Sequence, residues 1–252
     1  MINVYTGEEL SLIRESARLV AKTLIFIESQ VKPGVSTLFL DKIAEDFIRS
    51  NNAIPAFLGY GGSRNPYPAT LCVSINEEVV HGIPGGRYLK DGDIVGIDCG
   101  TILNGFYGDH AKTFLVGNVS ESCKKLVEIT RQSLDIGIEQ AIEGNHVNDI
   151  GSAIQAFIES NGYSIVRDLV GHGVGRKLHE DPPVPNYGKK GTGAVLQAGM
   201  VLAIEPMVNM GSWRVKVLRD GWTIVTADKK NSAHFEHTVL VGKDKAEILS
   251  QA

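Results

Sequence analysis

Cysteine is scarce in this chain, and the three present (Cys72, Cys99, Cys123) are odd in number and never closely spaced. That excludes a disulfide framework and a zinc ribbon, and it suits a reducing cytosol. Charge of one sign is missing too: 25 Lys and Arg against 29 Asp and Glu leave a net charge of −4. Neither nucleic acid nor an anionic membrane surface has an electrostatic claim on such a chain. No stretch nears the ~18 consecutive apolar residues of a membrane span. Glu8, Glu9, Arg14, Glu15, Arg18 and Lys22 interrupt any apolar run long enough for a secretory signal. Linker-like runs are absent as well. With 43% hydrophobic residues the chain can build a large core, and the expectation is one cytoplasmic domain over residues 1–252.

What is present is a plan used twice. Thr6-Gly7-Glu8-Glu9 reads as a capping box, and Leu10, Ile13, Ala17, Val20, Leu24 and Ile27 recur at helical spacing, predicting a helix over about 7–31. Ser36 or Thr37 caps a second helix that runs out at Ser50-Asn51-Asn52. A loop rich in Gly, Pro and Tyr (Gly59 to Pro68) precedes a short strand at 71–75. From Ser120 the pattern restarts, with one helix closed by Gly144 and another closed by Asn161-Gly162. Phe47-Ile48-Arg49-Ser50-Asn51 recurs as Phe157-Ile158-Glu159-Ser160-Asn161. The stretch from Leu89 to Asp98 aligns with that from Leu196 to Glu205, and Thr113-Phe114-Leu115-Val116-Gly117 aligns with Thr238-Val239-Leu240-Val241-Gly242. The expected fold is α+β: two α-α-β-β halves, about 7–117 and 120–242, related by an approximate two-fold axis. Their sheets join and the helices cover the outer face.

Between Gly92 and Gly117 lies a hairpin whose Asn104-Gly105 turn supplies the two positive-φ positions of a type I′ turn. The turn sets Asp98 opposite Ala111 and Asp109 opposite Gly100, with the two aspartates diagonal neighbours roughly 7–8 Å apart on one face. Like charges there repel unless a cation lies between them. A solvated face would also accommodate them, but Ile94, Ile97, Phe114 and Val116 make these strands core material. Gly100 leaves space where a side chain would crowd a ligand.

Glu205 sits in the apolar run from Met200 to Val208, where a carboxylate needs a metal or a buried arginine. Glu236 follows in a late strand with His234 on the same face; a surface edge strand is the plainer reading of that stretch alone. Val170-Gly171-His172-Gly173-Val174-Gly175 comes after an apolar strand at 163–170. Pro182 and Pro183 prevent the helix that a phosphate loop requires, so the glycines serve close backbone approach around His172. Asp98, Asp109, His172, Glu205 and Glu236 together form an oxygen-rich set with one imidazole. It suits Mn, Fe(II), Co or Zn in a catalytic site. Four carboxylates able to bridge would hold two divalent cations about 3.5 Å apart around a shared water, yielding a hydroxide nucleophile at neutral pH.

These residues carry a resemblance. Asn76-Glu77, Val80-His81-Gly82-Ile83-Pro84, Asp98, Tyr107-Gly108-Asp109, Gly171-His172-Gly173, His179-Glu180, Ile204-Glu205-Pro206 and Phe235-Glu236-His237-Thr238 resemble the type I methionine aminopeptidases over nearly the whole chain. The resemblance implies the pita-bread fold and removal of N-terminal methionine by attack of a di-metal hydroxide on the first peptide bond. It implies that Asp98 chelates one metal, Asp109 and Glu236 bridge the pair, and His172 and Glu205 complete the other. Glu205 would also shuttle a proton, His179 would stabilise the tetrahedral oxyanion, and His81 would stand near the scissile nitrogen. Positions matching the family's methionine pocket are Phe57, Tyr60, Cys72, Leu178 and Trp222. Leu169 and Leu178 replace bulkier residues, and the loop from Gly61 to Ala69 is longer than usual, which bears on pocket shape. The implied partners are nascent polypeptide N-termini near the ribosome, with a small second residue preferred, no direct nucleic-acid contact, no membrane, and a monomer. The compact form looks bacterial, without a zinc-binding extension or the large insertion of the type II enzymes.

Two other readings share parts of this pattern. Prolidases and aminopeptidase P would use the same five ligands but usually carry an additional N-terminal domain. Pita-bread binding modules typically lose the ligands, which this chain retains.

Overall fold

The computed structural model describes residues 2–252. Four helices lie where the apolar spacing predicts: α1 at Gly7–Glu28, α2 at Thr37–Ser50, α3 at Glu121–Ile138 and α4 at Val147–Ser160. Their ends depart from expectation in two places. α1 stops three residues early, its last carbonyls taken by the turn bonds Gln30 N–H to Ile27 and Val31 N–H to Glu28, and the Thr6 side chain makes no capping bond. α3 ends at Ile138, six residues before Gly144; that glycine instead turns the following loop at φ 88° and donates its N–H to the Leu196 carbonyl. Ser36, not Thr37, caps α2 by accepting from Phe39 N–H. Among the described residues no helix is long and apolar enough to cross a membrane.

Both halves contribute to one nine-stranded antiparallel sheet. Its order runs Ile54–Pro55, Ile94–Leu103, Phe106–Leu115, Glu236–Leu240, Val201–Ile204, Gly171–Gly173, Glu180–Val184, with Leu71–Ile75 also on the first long strand and Glu247–Ile248 also on Glu236–Leu240. The halves meet where Phe106–Leu115 pairs with Glu236–Leu240, in the register Ala111 to Glu236 and His110 to His237. The strand holding Glu236 is therefore central, and Glu236 is only 2% exposed, which removes the edge-strand reading. The predicted strand over 163–170 shrinks to Ser164–Ile165, because only those two residues find a partner strand, at Val208 and Asn209.

Strand alternation separates the faces of the sheet. Ile97 and Cys99 point back into a core with Val20, Leu24 and Ile27 of α1 and Leu40 and Ile48 of α2. Asp98 lies between them and points the other way. The second half repeats this: Leu202 and Ile204 pack against Leu126 and Leu134 of α3 and Ile150 and Ile154 of α4. Helix α1 comes so close to the hairpin that a Cβ on Gly108 would stand 2.6 Å from the backbone nitrogen of Ala17. Helices thus occupy one face and leave the other for the polar residues.

Candidate metal centre

The hairpin turn forms as read, with Asn104 at φ 52° and Gly105 at φ 81°. Asp98 consequently pairs with Ala111 and Asp109 with Gly100. Gly100 has a different purpose from the one expected. A Cβ there would meet the Phe57 ring at 2.7 Å and Ala56 at 2.9 Å, so the space it leaves is filled by a pocket wall and not by a ligand. His172 stands between two glycines whose missing side chains let neighbouring strands approach, as the sequence suggested. A Cβ on Gly171 would lie 2.2 Å from the Ala203 carbonyl oxygen, and one on Gly173 would lie 2.4 Å from that of Asp181. Glu205 follows directly on the strand Val201–Ile204, and Glu236 opens Glu236–Leu240.

Strand pairing between the halves brings these five residues together. His172 Nε2 is 3.8 Å from Glu205 Oε1 and 3.9 Å from Asp109 Oδ2. Donor atoms of Asp109, His172 and Glu236 lie within 4.8 Å of one another, and so do those of Glu205, His234 and Glu236. Asp98 Oδ1, Asp109 Oδ1 and Glu236 Oε1 are buried without a hydrogen-bond partner. Among the described residues no lysine or arginine pairs with any of the four carboxylates, and Glu205 is flanked by His172 and His234 instead of an arginine. His172 donates its Nδ1–H to the Gly173 carbonyl at 2.9 Å, which can only accept, so Nε2 faces the carboxylates with a free lone pair.

The electrostatics match four acids forced together. Burial pushes the Asp98 carboxyl up to about 7, with Glu205 adding to the push and His234 opposing it. Burial, then the Asp98 and Glu205 carboxylates, drive Asp109 well above the usual range, and Glu236 rises in the same way from burial and Asp109. For Glu205 burial works upward, but the His234 and His172 rings outweigh it and hold the carboxyl low. Orphaned carboxylate oxygens, a bare imidazole nitrogen and no cationic side chain are a donor set that fits divalent cations of the Mn, Fe(II), Co or Zn type.

Most of the remaining residues singled out in the sequence line the same cavity; Leu169 does not, packing instead against the cluster of Val79, Val80, Val166, Met207 and Ile224. Phe57, Tyr60, Cys72, Leu178 and Trp222 form its apolar wall, and His81 and His179 stand beside the carboxylates. The His179 ring meets His172 edge-on at 4.2 Å, and its Nδ1 is hydrogen-bonded to the Tyr60 hydroxyl. Burial first and His172 second press His179 down to about 4, so its ring is neutral. His81 takes a left-handed backbone conformation, φ 59°, and its ring lies edge-on to Trp222 at 6.4 Å. The long loop closes on Trp222: Gly61, at φ +92°, would carry a Cβ 2.6 Å from the indole, and Asn65 Nδ2 donates to the Asp220 carbonyl at 3.1 Å.

Two residues escaped the sequence reading. Tyr67 lines the pocket, edge-on to Trp222 at 5.3 Å, with its hydroxyl 2.9 Å from the carbonyls of both Leu71 and Gly82. Its only signal was an aromatic in a Gly- and Pro-rich loop. Strand alternation sets His234 on the face of Glu236 without indicating a partner; its Nε2 is 3.5 Å from Glu205 Oε2.

A pita-bread sheet carrying four clustered carboxylates, two of them on buried residues, and an imidazole beside an apolar pocket defines the metallopeptidase class, and residues 11–243 match the model of Metallopeptidase family M24. The chain is 54% identical to the methionine aminopeptidase of Clostridium perfringens, over 99% of both chains, and 51% identical to methionine aminopeptidase 1 of Bacillus subtilis, over 100% of both. The crystal structure of methionine aminopeptidase from Rickettsia prowazekii superimposes with a TM-score of 0.97 at 44% identity, covering both chains completely. The chain belongs to the methionine aminopeptidases. Prolidases share only the fold: that of Pyrococcus furiosus is 23% identical and the chain covers 65% of it.

Proposed function

We propose that the chain removes the N-terminal methionine from nascent proteins and peptides, preferring a small second residue, in a single catalytic domain that uses two divalent metal ions. The observation that carries this is the joining, in one cavity, of carboxylates that lack any cationic partner with an apolar wall of aromatic, leucine and cysteine side chains. Asp98 would hold one ion, Asp109 and Glu236 would bridge, and His172 and Glu205 would hold the other. When bound there, the ions supply Lewis acidity and a water acidic enough to ionise at neutral pH.

The chain's own residues account for the rest. Phe57, Tyr60, Cys72, Leu178 and Trp222 seat the methionine side chain, whose thioether suits aromatic and sulfur neighbours. Tyr60 O–H donates to Nδ1 of His179, which leaves the ring proton on Nε2 to donate to the scissile carbonyl oxygen as negative charge grows there. Glu205, kept ionised beside its two histidines, takes the proton of the attacking water and passes it to the leaving amine, near which His81 stands. The three thiols are all buried and unpaired, as befits a protein that meets nascent chains in the cytoplasm.

The test is to strip the protein with chelator, refill it separately with Fe(II), Mn, Co and Zn, and follow methionine release from Met-Ala and Met-Trp peptides beside cleavage of Ala-Pro. Metal-dependent release from Met-Ala alone is expected, and Asp109→Ala and Glu236→Ala should each abolish it. Cleavage confined to Ala-Pro, or ordinary turnover by either variant after refilling, would overturn the reading.

A further inference from the structure

The internal repeat extends to a residue outside the five-ligand set. Thr113 and Thr238 occupy matching places in the two halves, and each grips a residue across the seam between them. Thr238 Oγ1 accepts from Asp109 N–H at 3.0 Å and donates to the Asp109 carbonyl at 2.7 Å. Thr113 Oγ1 accepts from His234 N–H at 2.9 Å and donates to the His234 carbonyl at 2.8 Å. His234 is therefore the second-half counterpart of Asp109, just as Glu205 is the counterpart of Asp98. Where Asp109 presents a carboxylate, His234 presents an imidazole turned toward Glu205.

The ring is 3% exposed, and its Nε2 is buried with no hydrogen-bond partner. Facing it at 3.5 Å is Glu205 Oε2, while the other oxygen, Oε1, faces His172 Nε2 at 3.8 Å. The two oxygens of Glu205 are thus divided between two histidines. A buried polar atom is costly when unpaired, and Oε2 is the acceptor that faces this one.

We infer that His234 is a positioning residue for Glu205: its Nε2–H donates to Oε2 and fixes the carboxylate plane, leaving Oε1 free to share a metal ion with His172. This rests on the metal reading proposed above. Histidines and carboxylates that orient a ligand without touching the ion typically change metal affinity 10–100-fold when removed.

The test is calorimetric titration of the metal-free full-length protein with Mn(II), comparing wild type with His234→Leu and His234→Gln. Leucine deletes the donor and is expected to weaken Mn(II) binding by about 10–100-fold. Glutamine keeps an N–H of similar reach and is expected to stay within about 3-fold of wild type, a rescue that a merely space-filling role would not produce. Should the leucine variant fail to fold, His234→Asn, polar but too short to reach Oε2, is expected to show the same loss. Equal affinity in the wild type and the variants lacking a donor would overturn the inference while leaving the metal site intact. So would a glutamine variant as weak as the leucine one, since that would make the imidazole itself a ligand. A wild-type protein that takes up no Mn(II) would overturn the metal reading and this assignment together.

Discussion

Glu180, the residue after His179, ties the catalytic pocket to the start of the chain, and removing it should uncouple the two. Its carboxylate accepts from Asn3 Nδ2 at 2.8 Å, from the Tyr5 hydroxyl at 2.8–2.9 Å, and from Lys177 N–H at 3.0 Å. Tyr5 is 3% exposed, and burial pushes its hydroxyl up to about 12, so it is a committed donor. In Glu180→Ala the amides of Asn3 and Lys177 can turn to water at little cost, but the Tyr5 O–H is left buried without its acceptor. That orphaning costs about 1–3 kcal/mol. At roughly 2–4 °C per kcal/mol for a chain of this size, Tm should fall by about 4–8 °C around a 2 kcal/mol loss. Because His179 is the neighbouring residue, kcat on a Met-Ala peptide should fall while KM moves little. Tyr5→Phe removes the donor instead, and the double variant should be little worse than the worse single, a coupling of about 1–2 kcal/mol by urea denaturation. Additive losses, or a Glu180→Ala enzyme with wild-type Tm and kcat, would refute the reasoning.

Two further predictions address the pocket wall and the second half. Gly100→Ala puts a methyl 2.7 Å from the Phe57 ring, so the wall must shift; a rise of several-fold in KM for Met-Ala and a stability loss of about 1–3 kcal/mol are expected, and unchanged values would show a yielding wall. Asp149 accepts from His146 N–H at 2.7 Å and Gly191 N–H at 2.6 Å. Burial works to raise its carboxyl, but these backbone donors win and hold it below the ordinary aspartate value. A depressed pKa means that the stabilisation is whole above pH ~4 and is lost as pH falls through the folded-state value. Asp149→Asn should therefore cost about 1–2 kcal/mol at neutral pH, with the gap to wild type closing in acid. A gap that persists in denaturation curves taken in acid would contradict the assignment.

Much of the molecule was legible because its signals are local. Helix periodicity, the Asn104-Gly105 turn and the register that follows from it involve residues near in sequence, and each of them formed as read. Helix ends were less legible, as at α1 and α3, since chain ends of helices are settled by which carbonyls find turn partners. The 163–170 strand failed because an apolar run becomes a strand only where a partner lies alongside, and here only Ser164 and Ile165 had one.

The sequence by itself determined the two-fold plan and the diagonal placement of Asp98 and Asp109 on one face of the hairpin, since a repeat and a tight turn are written in neighbouring residues. Tertiary structure decided that Phe106–Leu115 and Glu236–Leu240 lie side by side, which brings the carboxylates of both halves within reach of one ion. It also decided that Gly100 makes room for Phe57, that Tyr67 walls the pocket, and that His234 faces Glu205. Those relations join residues tens to more than a hundred positions apart. Side-chain period specifies which face of a strand is buried, but the strand opposite is chosen by packing of the whole sheet.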